Sequence, residues 1–365
     1  MSTNYHIVSL WKDLMPKNDI YRALTDMLDD TPADCDILLL GAEEDVIPPS
    51  PIFRSSSASR RAIDALFKIK QDKNITIHLV TGNHLHDERM FHFTAYHHIK
   101  DLFDSVTCWP FYMWLAHTDT NLLKFSNQHP PKTTLFVCKN NRPHPHRVML
   151  MDQFAKYNML DNNIVTWNTE LQPMDYKPLL WEPEFRRYPE YDLRTGESYE
   201  HDHMVCRDSD YMESELINYP DAVIEVVAEG SDHCLMFTEK TFKSILNKKV
   251  FLLHGCPGIN EKLTDYGFKL FDNLFDYSFD SIDDVEQRAY HMVTQLVPLQ
   301  DTCPEEIYRQ CEHIIEHNLQ CMVDILSNNT HYPDIIPACD YDDHITRTQS
   351  IIANSPEFAQ YRKQQ

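Results

Sequence analysis

The sequence predicts an α/β protein made of two doubly wound domains, and three observations lead to this expectation. The chain has 365 residues, more than the roughly 250 to 300 that a single hydrophobic core usually holds. Short apolar runs alternate with amphipathic segments, which is the pattern of parallel strands joined by crossover helices. Four of the seven glycines follow apolar runs, where a strand turns tightly into a helix: Gly41, Gly82, Gly230 and Gly255.

Residues 1–127 are predicted to form the first domain. The expected elements are a strand at 5–11, a helix at 19–28, a strand at 35–41, a helix at 60–71 and a strand at 75–82. This order is one half of a doubly wound fold. A polar, proline-containing join at 126–131 then marks the domain boundary.

Residues 132–326 are predicted to form the second domain. Strands are expected at 133–138, 164–167, 222–229, 250–254 and 269–271, and helices at 211–217, 260–266, 281–297 and 304–326. A further helix is expected to bear Val148 and Tyr157 on its apolar side, and another, of about ten residues, to begin at Glu239. The stretch 170–210, rich in Tyr, Pro, Glu and Asp, interrupts the pattern and is either functional or a surface excursion. The polar tail, 327–365, is expected to pack back toward the first domain.

Composition limits the partners. The 33 basic and 56 acidic residues give a net charge of −23, which opposes non-specific binding to nucleic acid or anionic membranes. No apolar run approaches the roughly 18 residues of a membrane helix, and the N-terminus lacks a basic head before an apolar stretch. The ten cysteines are widely spaced, which favours reduced thiols. We therefore expect a soluble, cytoplasmic protein without membrane insertion.

Twenty histidines raise the question of a metal site. His-x-His pairs occur at His84 and His86 and at His201 and His203, but no HExxH or CxxC accompanies them. The Asp-x-Asp at 208–210 follows no apolar run and is interpreted as a solvated acidic loop. We therefore expect structural or surface roles for the histidines, no metal site and no cofactor.

The stretch from Phe237 to Lys243 lies between the predicted strands 222–229 and 250–254. Glu239 and Lys240 would open a helix near the carboxyl end of a strand, where open α/β sheets bind ligands. A helix N-terminus favours anions, and lysine adds full charge, so this position suits a phosphate. No glycine-rich dinucleotide fingerprint or P-loop occurs in the chain. The alternative is an ordinary solvated helix start, with Glu239 favoured there by the helix dipole.

Four ordered segments carry a resemblance to a known family: an arginine-bearing loop with Arg142 and Arg147, a Glu-x-Ser element at Glu229 and Ser231, the Thr-Glu-Lys helix start at 238–240, and residues 257–288 downstream. In these segments, which span roughly 132–295, the chain resembles the C-terminal domain of α1,3-fucosyltransferases and similar viral and bacterial glycosyltransferases. The insertion at 170–210 departs from that pattern, and residues 1–127 show no comparable motif.

The resemblance implies the GT-B fold, in which two Rossmann-like domains hold a nucleotide-sugar in the cleft between them. By position, Glu239, which follows Thr238, would accept the ribose hydroxyls, while Lys240 and Arg147 would neutralise the diphosphate without metal. Glu229 and Ser231 would lie beside the sugar or ribose. Surface roles for Arg142 and Arg147, and a turn-capping role for Glu229, are the alternatives.

Transfer to an acceptor hydroxyl with inversion needs a general base, which in GT-B enzymes usually comes from the N-terminal domain. Glu44, which follows Gly41, is the candidate, and Glu43, Asp87 and Glu88 are its rivals. Each of these acids is equally suited to a helix N-terminus. Nothing in the sequence distinguishes inversion from retention.

The expected function is metal-independent transfer of a sugar from a nucleoside-diphosphate donor to an acceptor hydroxyl, with a glycan as the default acceptor. One alternative acceptor is a hydroxymethylated pyrimidine in viral DNA. It would require a local basic face, for which the first domain offers Arg54, Arg60, Arg61, Lys68 and Lys70. Another alternative is a non-catalytic module that binds nucleotide-sugars or glycans.

Overall fold

The computed structural model describes residues 5–9, 36–41, 67–72, 75–82, 103–110, 113, 131–140, 144–160, 162–167, 219–230, 232, 235–328, 330, 346, 349–350, 352–354 and 356–362. The protein is of mixed α/β class and forms two compact units. Each unit contains a four-stranded sheet in which the strands are parallel.

The sheet of the first unit runs in chain order. Its strands are β1 (Tyr5–Ser9), β2 (Asp36–Gly41), β3 (Ile77–Thr81) and β4 (Ser105–Cys108), and neighbours in sequence are neighbours in the sheet. Residues 67–72, which precede β3, are helical. Ile77, Leu79 and Val80 of β3 are buried, so this strand contributes apolar side chains to both faces, as expected for a parallel sheet covered on both sides.

The sheet of the second unit changes direction. Its strands are β5 (Thr134–Asn140), β6 (Ile164–Trp167), β7 (Ala222–Ala228) and β8 (Val250–His254), and their order across the sheet is β6-β5-β7-β8. All seven residues of β7 are buried. Because the chain moves outward from β5 first to one side and then to the other, the strand order reverses between β5 and β7.

The helices with described bounds belong to the second unit. They are α1 (Pro145–Lys156), α2 (Glu239–Leu246), α3 (Ile259–Thr264), α4 (Val285–Thr294), α5 (Pro304–Asn328) and α6 (Ala359–Arg362). Short 3-10 segments occur at Tyr219–Asp221, Tyr277–Ser281, Val297–Asp301 and Pro356–Phe358. Thr238 caps α2 and Asp284 caps α4 through their side-chain oxygens, which explains where these two helices begin.

One predicted element is wrong. Residues 269–271 were expected to form a strand, but they have no regular structure. The side chain of Asn318, on α5, accepts from the Lys269 backbone nitrogen at 2.7 Å and donates to the Lys269 carbonyl oxygen at 2.9 Å. A helix side chain thus makes both hydrogen bonds that a neighbouring strand would otherwise supply.

Other predictions fall partly or wholly outside the described residues. These are most of the join at 126–131 and all of the helix at 19–28, the insertion at 170–210 and the helix at 211–217, so the domain boundary stays a prediction. The described end of the tail packs on the second unit, where the Tyr361 hydroxyl donates to Glu316 of α5 and the Gln320 amide donates to the Tyr361 carbonyl oxygen at 3.3 Å. Among the described residues, the helices are all too short or too polar to span a bilayer.

Candidate functional site

The candidate site lies at the carboxyl edge of the second sheet. The strand order reverses between β5 and β7, and open α/β sheets bind ligands in the crevice outside the carboxyl ends of strands at such a reversal. The chain continues from the end of β5 into the start of α1, and from the end of β7 toward the start of α2. Both helix N-termini therefore follow the strands that form the reversal.

Arg147, in the first turn of α1, is held by the end of β7. Its Nη2 donates to the carbonyl oxygens of Ala228 at 3.2 Å and Glu229 at 3.0 Å. The side chain is almost fully buried, with 2% exposure for the residue. The guanidinium is thus fixed at the strand reversal, and a ligand that reaches it must displace part of the cover above it.

His146 binds the same carbonyl oxygen as Arg147. Its Nε2 lies 2.8 Å from the Glu229 oxygen, and because a carbonyl oxygen only accepts, this nitrogen carries the proton in the neutral ring. Its Nδ1 faces Asp232, at 3.9 Å from Oδ1. Burial lowers the pKa of His146 well below its usual value, and the charges of Arg147 and the neighbouring histidines lower it further. The ring is therefore neutral at pH 7.

Glu229 follows β7 and is fully buried. Its carboxylate accepts from the Thr238 backbone nitrogen at 3.2 Å, from the Thr238 hydroxyl and from the Thr241 hydroxyl. Burial raises the pKa of this carboxyl, while the Lys240 charge and the two hydroxyl hydrogen bonds act in the opposite direction. The side chain expected beside the sugar or ribose thus holds the first turn of α2 in this structure.

The start of α2 carries an ion pair between adjacent residues. The Lys240 Nζ lies 2.7 Å from Glu239 Oε1 and 3.3 Å from the Thr238 hydroxyl oxygen. The Lys240 side chain is partly exposed, at 19%, whereas that of Glu239 is nearly buried, at 9%. Among the described residues that were predicted to bind the donor, Lys240 and Glu239 have the most exposed side chains.

A row of three histidines crosses this edge of the sheet. The ring centroids of His144 and His146 are 5.7 Å apart, and those of His146 and His254 are 5.8 Å apart. His254 ends β8, and its Nε2 donates to the His146 carbonyl oxygen at 3.2 Å. Burial lowers the pKa of His254 to about 3, helped by Arg288 and Arg147. His146 and His254 in this row are fully buried, and burial lowers the pKa of both.

Arg288, on α4, repeats the arrangement of Arg147 at the next strand. Its Nη2 donates to the Gly255 carbonyl oxygen at 2.7 Å, and its Nη1 donates to the carbonyl oxygens of Ile282 and, at 3.2 Å, Asp283. The residue is 1% exposed. Two buried arginines thus hold the strand-end backbone, one after β7 and one after β8.

Sequence reasoning missed His146, His254 and Arg288 as parts of this edge. A signal was present for two of them, since His146 precedes Arg147 in the predicted arginine-bearing loop and Arg288 ends the segment of family resemblance. His254 follows an apolar run like an ordinary strand end, so only the fold brings it to His146.

The remaining predicted site residues fall outside the described part of the chain. They are Glu43, Glu44, Asp87, Glu88, Arg142 and Ser231. The general base and the second arginine of the loop therefore stay predictions. Within the described ranges, the histidines, cysteines and acids form no group of three or more that could hold a metal ion.

Comparison of the chain with known proteins does not assign it to a family. No protein-family model matches the chain, and neither a curated protein nor a solved structure is significantly similar to it.

Proposed function

We propose that the protein is a glycosyltransferase of the GT-B type, which transfers a sugar from a nucleoside-diphosphate donor to an acceptor hydroxyl. The observation that carries the proposal is the convergence on Glu229 at the strand reversal. Arg147 binds its carbonyl oxygen, and the helix start bearing Glu239 and Lys240 binds its carboxylate. Two cations near a helix N-terminus at such a reversal suit a diphosphate.

The ion pair at the start of α2 suggests how the donor binds. A phosphate is a stronger partner for an ammonium group than one carboxylate oxygen, so it would draw Lys240 away from Glu239. The Glu239 oxygens would then be available to accept from the vicinal hydroxyls of a ribose, as an acidic residue does in dinucleotide folds. One side-chain exchange would thus create both contacts.

The chemistry proposed for the site needs fixed positive charge. When the glycosidic bond breaks, negative charge develops on the departing nucleoside diphosphate, and Lys240 and Arg147 would stabilise it without a metal ion. A carboxylate of the first domain, with Glu44 as the candidate and Glu43 and Asp87 as rivals, would remove the proton of the acceptor hydroxyl. A glycan is the proposed acceptor.

The test is binding of nucleoside diphosphates, measured by calorimetry with the wild type and with Lys240→Ala. Loss of a charge-assisted phosphate contact should cost about 1.5 to 3 kcal/mol, which raises Kd roughly tenfold to a hundredfold. Lys262→Ala is the matched control, because Lys262 also pairs with an acid, Asp265, at 2.7 Å, but lies on α3 with 28% of its side chain exposed.

An unchanged Kd in Lys240→Ala would contradict the assignment of the diphosphate site. A transfer assay with a panel of nucleotide-sugars and glycan acceptors addresses the activity itself. Donor binding without transfer or hydrolysis of any sugar would instead support the non-catalytic binding module.

A further inference from the structure

The backbone carbonyl and the side-chain carboxylate of Glu229 each hold a different part of the proposed donor site. Its carbonyl oxygen accepts from Arg147 and His146 of α1. Its carboxylate accepts from Thr238 and Thr241 at the start of α2. The two cations proposed to hold the diphosphate are therefore tied to opposite ends of one buried residue.

Both oxygens of the Glu229 carboxylate accept hydrogen bonds within the protein. Oε1 accepts from the Thr238 backbone nitrogen and the Thr241 hydroxyl, and Oε2 accepts from the Thr238 hydroxyl. With a residue exposure of 0%, the carboxylate has no surface at which a sugar hydroxyl could bind. The role that fits is positioning of the helix rather than contact with the ligand.

The Thr238 hydroxyl connects the Glu229 carboxylate to Lys240. A hydroxyl has one hydrogen to donate and lone pairs that accept. Because that hydrogen goes to Glu229, the lone pairs are directed away from the carboxylate, where they accept from the Lys240 backbone nitrogen at 3.4 Å and from Lys240 Nζ at 3.3 Å. The orientation of the cap, and with it the place of the ammonium group, depends on Glu229.

We infer that Glu229 is a positioning residue, which fixes Lys240 relative to Arg147 so that both cations meet the same diphosphate. The inference rests on the proposed function, because it assigns the relation between two residues of that site. Because the Thr238 hydroxyl that bonds Glu229 also contacts Lys240, it predicts that changes at Glu229 or Thr241 weaken donor binding chiefly through Lys240.

A double-mutant cycle with calorimetric binding of guanosine and uridine diphosphate tests the inference. Glu229→Gln should weaken binding by about tenfold, up to the loss caused by Lys240→Ala itself. In the Lys240→Ala background, the same Glu229→Gln change should alter Kd by less than about twofold, since the group that it positions is gone. Additive losses in the double mutant would overturn the inference, because they would show that Glu229 affects binding independently of Lys240.

Thr241 offers a second route if Glu229→Gln fails to fold. Thr241 is fully buried, so a change there reaches the ligand only through α2. Thr241→Val removes the hydroxyl donor and should weaken binding severalfold, while Thr241→Ser keeps the donor and should bind like the wild type. Equal affinities of the folded Val and Ser variants would overturn the inference while leaving the proposed function intact.

Failure of the proposed function gives a different result. If the wild type binds neither nucleotide, hydrogen exchange still reports on the anchoring. The amides of residues 239–242 should then exchange faster in Thr241→Val than in Thr241→Ser. Equal exchange in the two variants would remove the positioning role as well.

Discussion

His254 joins the strand end of β8 to the start of α1. Its Nε2 donates to the His146 carbonyl oxygen, and its Nδ1 is buried without a hydrogen-bond partner among the described residues. A second proton on this ring would have no acceptor and would face the charges of Arg288 and Arg147. The ring is therefore suited to the neutral form only.

This environment predicts a loss of stability in mild acid. The unfolded chain binds a proton near the ordinary pKa of 6.5, whereas the folded chain resists it until about 3. The contribution of His254 is thus complete above pH 6.5 and is lost progressively as the pH falls toward 3. Urea unfolding at pH 7 and pH 5 should show that the wild type loses about 2 kcal/mol more than His254→Gln. Gln can still donate to the carbonyl oxygen but does not titrate, so equal losses in the two proteins would contradict the prediction.

Single residues also show how far the site could be predicted from sequence. The local motif correctly placed Glu239 and Lys240 at a helix start, because a helix that begins after a buried strand is a short-range pattern. The role of Glu229 could not be read in this way. Its carbonyl partner, Arg147, is 82 residues distant in the chain, and its carboxylate accepts from Thr238 and Thr241, which lie 9 and 12 residues later.

At the scale of elements, prediction succeeded where the pattern was long and regular. The predicted strand at 222–229 corresponds to β7 and the predicted helix at 304–326 to α5. The prediction of a strand at 269–271 failed because Lys-Leu-Phe is short and only two of its residues are apolar, while the partner of the Lys269 backbone is the Asn318 side chain, 49 residues later. Short apolar runs do not reveal such long-range partners.

The Asn318 contact gives a prediction for stability. Asn318 is 1% exposed, so Asn318→Ala would leave the Lys269 N–H and carbonyl groups without their partner. Chemical denaturation should show a loss of about 2 kcal/mol in the free energy of unfolding. Gln310→Ala on the same helix is the control, since Gln310 lies at the surface and should change stability by less than about 0.5 kcal/mol. Similar small effects from both changes would mean that solvent replaces the Asn318 bonds.

At the scale of the whole molecule, the net charge of −23 opposes a DNA acceptor. A DNA substrate would require a local basic face strong enough to overcome this field. In the described part of the face proposed from the sequence, Lys68 is exposed, but Lys70 pairs with Asp104 at 2.9 Å. The pairing reduces the positive charge available there.

We therefore expect no retention of the protein on immobilised duplex DNA, even at low salt, where phosphate contacts are strongest. Elution of bound protein by increasing salt would instead support a DNA acceptor. If the wild type is retained, comparison with Lys70→Glu tests whether DNA binds at the face that bears Lys68 and Lys70. The substitution alters retention only if DNA binds there.

The burial of β7 has a consequence for how nucleotide binding is lost when the protein unfolds. All seven residues of this strand are enclosed, with β5 and β8 on either side, and enclosed central strands are the last to open in hydrogen exchange. Glu229 extends directly from it, so the proposed donor site is attached to the most protected part of the second unit rather than to a fraying loop. Heating should therefore leave nucleotide affinity intact until the second unit melts cooperatively, at which point binding and structure disappear together.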